Sequence, residues 1–191
     1  MKRIVVVGVG ALGSHTIQFL RNVGALIRVV DFDKVERKNT QSQFHAKQSV
    51  GKSKVLGLQR TVDFLWGLKL DVVPHKLVAD NAEQILGHSD LIIDCLDNGE
   101  ARRIVQGYAR EHKVSCLHGA LDADGSFGAV MWDSKFHIDD EPGTGAATCE
   151  DGEHLPFIAV TAALLARAVQ EFLDSGRESS FHVHPGGVVR R

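Results

Sequence analysis

Glycines stand at positions 8, 10 and 13 in the run Gly8-Val9-Gly10-Ala11-Leu12-Gly13, between an apolar stretch and an amphipathic one. That spacing lets a chain turn tightly from a strand into a helix and brings its backbone close to a phosphate. The helix N-terminus behind the turn offers unpaired N–H groups and a partial positive charge to an anion. Asp31 ends the next apolar run, where a carboxylate is placed to accept hydrogen bonds from ribose hydroxyls. The two features together point to an adenine nucleotide without separating ATP from NAD or FAD. A purely structural glycine turn would be spelled the same way. Further on, Lys52 and Lys54 follow Gly51 at the head of a helical pattern, and Asp94-Cys95-Leu96-Asp97-Asn98 closes another apolar run. The carboxyl end of a strand is where open α/β sheets bind their ligands.

The elements that must position these residues alternate between strand and helix. Apolar runs at Ile4–Val7, Ala25–Asp31 and Leu91–Asp94 read as strands. Leu70–Val78 reads as another, with Pro74 making its place in a sheet uncertain. Helical spacing covers Ala11–Asn22, Gly51–Trp66, Asp80–Leu86 and Glu100–His112. The pattern then changes: Val114–Leu121, Phe127–Trp132 and Lys135–Ile138 read as strands joined by short turns. A polar loop over His137–Glu153, a long apolar helix over Leu155–Leu173, a strand at Ser180–Val183 and a loose tail after Pro185 follow. The expected fold is a Rossmann-like, doubly wound α/β domain spanning 1–191. Its mostly parallel, nucleotide-binding part covers 1–113, and 114–191 adds an antiparallel extension, a crossover loop and the C-terminal helix.

Bulk properties narrow the function classes. The 191 residues carry a net charge of −2 with scattered basic residues, so no global field draws nucleic acid or an acidic membrane surface. No uninterrupted apolar run reaches about 18 residues, the length a membrane span needs. The apolar opening is cut by Gly8, Gly10 and Gly13 and reads as a strand and not a signal peptide, which makes a cytoplasmic location the expectation. Three well-separated cysteines, Cys95, Cys116 and Cys149, do not build a disulfide framework. With no Cys-x-x-Cys pair there is no four-thiolate zinc site.

Between the glycine turn and the Asp94–Asn98 cluster the chain reads Asp31-Phe32-Asp33-Lys34-Val35-Glu36-Arg37-Lys38-Asn39-Thr40-Gln41-Ser42-Gln43 and Val50-Gly51-Lys52-Ser53-Lys54-Val55. This order of motifs resembles the ThiF, MoeB and HesA family of adenylyltransferases, whose fold is shared with the adenylation domains of ubiquitin-activating enzymes. The resemblance runs from the first glycine motif to the end of the long helix. It implies that MgATP binds and that a carboxylate is activated as an acyl-adenylate with release of pyrophosphate. The substrate would be the C-terminal Gly-Gly of a ubiquitin-like or sulfur-carrier protein, a peptide, or a small-molecule acid. It also implies a homodimer. By the same resemblance the nucleotide would be held by Gly8, Gly10, Ala11, Leu12, Gly13, Asp31, Asp33, Asn39, Gln43, Lys54, Leu96, Asp97 and Asn98. Asp31 would take the ribose, Asn39 would lie near the phosphates, Lys54 would neutralise them and Asp97 would bind magnesium. The chemistry needs such groups, because attack of a carboxylate on the α-phosphorus brings two anions together.

The sequence departs from the family in places. Where the family has an arginine before Gln43, this chain has Ser42, with Arg37 or Lys38 as substitutes. Cys149 precedes the long helix, where relatives carry a thiolate that takes the activated acyl group or sulfur. Glu150, Asp151 and Glu153 around it would make it a poorer nucleophile. Cys95 and Cys116 read as core residues, and His118 and Asp122 as candidates for a substrate channel. Two other readings stay open. A non-catalytic or partner-completed half of such an enzyme would explain Ser42. A NAD-dependent oxidoreductase would use the glycine turn and Asp31 but leave Lys54 and Asp97 idle.

Overall fold

The computed structural model describes residues 1–138 and 152–191. Eight strands form one sheet in the order β3-β2-β1-β4-β5-β6-β7-β8. β1 (Lys2–Val7) pairs in parallel with β2 (Ala25–Val30) on one side and β4 (Leu91–Asp94) on the other. β3 (Leu70–Val73) and β5 (Ser115–Leu121) extend the parallel set outward. β6 (Gly128–Trp132), β7 (Phe181–His184) and β8 (Gly187–Arg190) continue it antiparallel. The expected fold class and its antiparallel extension are both present.

Alternation along β1 shows how sequence sets the layers. Ile4 and Val6 face one side, and Val5 and Val7 the other. The first set packs with Leu12 and Ile17 of α1 (Ala11–Phe19), Val55 and Leu58 of α3 (Lys54–Trp66), and Leu165 and Val169 of α6 (Leu155–Ser175). The second packs with Ile85 and Leu86 of α4 (Ala82–Leu86) and Val105 and Tyr108 of α5 (Gly99–His112). α6 is long and apolar enough to cross a membrane by composition alone, but here seven of its residues are buried and it lies along α1. A short helix, α2 (Asn39–Ser42), sits between β2 and α3.

Three expectations are corrected. The strand from Leu70 stops at Val73, because Pro74 has no N–H to give the ladder. Lys135–Ile138 is not a strand: Asp133–Lys135 turns as a short 3-10 helix, and Phe136 packs on the His118 ring at 4.2 Å. The tail after Pro185 is not loose, since β7 and β8 form a hairpin in which Val183 faces Val188. Cys149 and most of the expected loop at 137–153 lie outside the described residues.

Candidate nucleotide site

The strand order reverses between β1 and β4, and the carboxyl ends of these neighbours form the crevice that open α/β sheets use for ligands. Gly8 leaves β1 with φ +88°, donating its N–H to Val30 O at 2.8 Å, and Cys95 N donates to Val7 O at 2.8 Å. A Cβ on Gly8 would lie 2.8 Å from the Cys95 carbonyl oxygen, and one on Gly13 only 1.9 Å from the Gly8 carbonyl oxygen. The glycine turn is therefore packed against both itself and the 95–98 segment. Gly13→Ala must displace the turn. We expect it to cost about 1–3 kcal/mol by overpacking, read by thermal unfolding, and to weaken nucleotide binding; wild-type values on both would contradict the packing.

At Gly10 the backbone is open, with nothing within 4 Å of where a Cβ would be. Gly10 caps α1 without a side-chain bond, so the first N–H groups of that helix are available to an anion. Ala11 and Leu12 are buried in the core at 7% and 5% exposure, so only their backbone can serve a ligand. Asp31 is oriented from both sides: Oδ2 accepts from Val9 N at 2.9 Å and Oδ1 from Asp33 N at 2.8 Å. Burial raises its pKa, with the Lys54 ammonium and the two N–H donors offsetting part of the rise. Each oxygen keeps a lone pair for a hydroxyl donor.

Lys54 begins α3 and is 8% exposed, with Nζ 2.9 Å from Asp33 Oδ2. A buried lysine beside a ribose-type carboxylate is suited to a polyanion. Asp97 is exposed, at the mouth of the crevice, and makes no ion pair among the described residues. Its carboxylate is of the type magnesium takes together with phosphate oxygens and water. Leu96 N donates to Asp94 Oδ1 at 2.9 Å. Other expected residues have local tasks. Asn98 Oδ1 caps α5 by accepting from Ala101 N at 2.8 Å, and Asn39 Oδ1 accepts from Glu36 N at 2.8 Å. Gln43 caps α2, and its buried Oε1 has no partner among the described residues.

Ser42 is fully buried and its carbonyl accepts from His15 Nε2 at 3.0 Å, so this position presents no charge to a phosphate. Of its expected substitutes, Arg37 lines a cleft with Thr40, Gln41, Lys47 and Val50, and Lys38 lies 3.8 Å from Glu36. Cys95 is half-buried, Cys116 is buried, and burial pushes both thiols up.

His118 does not line a channel. It is fully buried, with Nδ1 2.7 Å from Asp94 Oδ2 and Nε2 3.2 Å from Asp133 Oδ1. Arg102 completes this network, which sequence reasoning missed. It reaches Asp94 Oδ2 and Gly119 O at 2.8 Å each and also donates to Leu96 O. Burial raises Asp133, but hydrogen bonds from Arg110, Gln106 and His118 outweigh it and hold the carboxyl below its usual range. The network fixes the peptide immediately before Asp97.

The ThiF family profile matches residues 1–183. This chain belongs to the ThiF family. As a ThiF-family chain it is similar to the SAMP-activating enzyme E1 of Haloferax volcanii, at 35% identity over 125 residues, 62% of this chain and 45% of that protein. It is 28% identical to the molybdopterin-synthase adenylyltransferase of Escherichia coli over 197 aligned positions, 93% of this chain and 76% of that protein. Among solved structures, E. coli MccB with ATP matches 100% of this chain and 62% of its own length, with TM-score 0.76 and 15% identity, a likeness of fold. The ThiF-family chain thus spans less than half of the Haloferax relative, which it covers to 45%.

Proposed function

We propose that this chain is an ATP-dependent adenylyltransferase that activates a carboxylate. The observation that carries the reading is Lys54, a buried ammonium near Asp31 and the glycine turn, with Asp33 as its one side-chain partner among the described residues. A triphosphate needs such a charge, whereas a dinucleotide oxidoreductase would leave it without a task. In this reading the N–H groups at Gly10–Gly13 and Lys54 hold the phosphates, Asp31 holds the ribose, and Asp97 holds a magnesium ion that offsets phosphate charge. A carboxylate oxygen attacks the α-phosphorus, the bond from that phosphorus to the bridging oxygen breaks, and pyrophosphate leaves with the electron pair.

The names of relatives, which include a ubiquitin-like modifier-activating enzyme and a sulfur carrier protein adenylyltransferase, support a ubiquitin-like or sulfur-carrier protein as the acid, with a peptide or small acid as the alternative. Transfer of the acyl carbon from the adenylate to the Cys149 sulfur, with AMP leaving and the thiol proton lost, belongs to the same proposal, as does a cytoplasmic location. So does a homodimer, supported by the apolar outward stripe Pro156, Val160 and Ala163 on α6. Ser42 favours one second reading, a site that a partner chain completes with the missing positive charge.

Calorimetric titration tests the cofactor. MgATP should bind and NAD should not; NAD binding in the absence of ATP binding would overturn the reading.

A further inference from the structure

His45 carries a lone pair that the described residues do not use. The ring is 6% exposed and lies on the segment that docks beneath the glycine turn. Phe44 N donates to Ser14 Oγ at 2.9 Å, and His45 Nε2 lies 2.8 Å from Val9 O. A carbonyl only accepts, so Nε2 bears the proton and Nδ1 of the neutral ring is an acceptor. Burial lowers the pKa to about 4 against the raising effect of the Val9 bond, and the charge of Lys54 and the nearby His15 lower it further. The ring is therefore neutral at physiological pH. Nδ1 is buried and has no hydrogen-bond partner among the described residues. Buried acceptors are almost always paired, so this nitrogen calls for a donor.

Lys54 is the complementary group. An ammonium has three hydrogens to donate, and Asp33 Oδ2 is its one side-chain partner among the described residues. Val9 links the two: its carbonyl holds His45 while its N–H holds Asp31, whose carboxyl feels the Lys54 charge.

We propose that His45 is the positioning residue for Lys54, taking one Nζ–H on Nδ1 when nucleotide phosphates draw the ammonium from Asp33. A carboxylate partner cancels the lysine's charge, while a neutral imidazole orients the ammonium and leaves its full charge for the phosphates. The proposal rests on the nucleotide reading above.

Nitrogen-15 histidine spectra test it with magnesium and a saturating, non-hydrolysable ATP analogue. In wild type the His45 Nδ1 signal should move upfield on binding while Nε2 stays. In Lys54→Ala, at saturation, Nδ1 should not move. Calorimetric affinities add a second readout. His45→Gln keeps a donor for Val9 O and loses the Nδ1 acceptor, so it should weaken binding about tenfold, and it should add no further loss in a Lys54→Ala background. An Nδ1 shift that persists in Lys54→Ala, an unmoved Nδ1 in wild type that binds the analogue, or fully additive losses would overturn the proposal. If wild type binds no analogue by calorimetry, the nucleotide reading itself falls and takes the proposal with it.

Discussion

Lys54→Ala should lower ATP–pyrophosphate exchange by about a hundredfold or more, because a phosphate charge left uncompensated in the transition state costs several kcal/mol and each 1.4 kcal/mol is about tenfold in rate. Asp97→Ala should abolish the exchange, because in the proposed reading its carboxylate would hold the magnesium ion that offsets phosphate charge. Neither change should disturb the fold. Asp97 is exposed, and the carboxylate that Lys54 leaves behind, Asp33, is 49% exposed and can be solvated. Circular dichroism and the melting temperature serve as controls. Exchange at the wild-type rate in either variant would remove the role assigned to that residue.

Arg102→Ala has the largest expected effect on stability. Its guanidinium pairs with the fully buried Asp94, which the His118 ring also contacts, and it holds the carbonyls of Leu96 and Gly119. Removing one partner of a buried pair leaves an uncompensated charge and costs about 3–5 kcal/mol. For a domain of this size that is a fall of roughly 6–20 °C in melting temperature. Arg102→Lys keeps a charge without the guanidinium fork and should fall between the two. Because Arg102 fixes the peptide before Asp97, the alanine variant should also lose exchange activity at temperatures where it is still folded. A loss of stability under about 1 kcal/mol in urea unfolding would contradict the network.

What was legible in the sequence was what local pattern encodes. The glycine turn, Asp31 and the head of α3 follow from period and turn chemistry within a few residues, and the structure puts them at one crevice. The Asp94–Arg102–His118–Asp133 network was not legible, because its members lie on two strands, a helix and a 3-10 turn whose approach is fixed only by the sheet order. His118 was noticed as a polar residue at a strand end, yet its carboxylate partners make it part of the frame and not of a channel. The β7–β8 hairpin was missed for a similar reason. Pro185, Gly186 and Gly187 read as a loose tail until β6 supplies the edge on which β7 pairs. His45 carried no signal in its spacing; its interest arises from the buried Nδ1 that only the packed structure displays.

The most direct test of carboxylate activation is exchange of labelled pyrophosphate into ATP, run with candidate acids: a ubiquitin-like or sulfur-carrier protein ending in Gly-Gly, a peptide, and small carboxylates. Formation of an acyl-adenylate predicts label in ATP that depends on the acid and on magnesium and is lost in Asp97→Ala. Label incorporation absent with every acid while MgATP binds, or cleavage of ATP to ADP and phosphate, would contradict it.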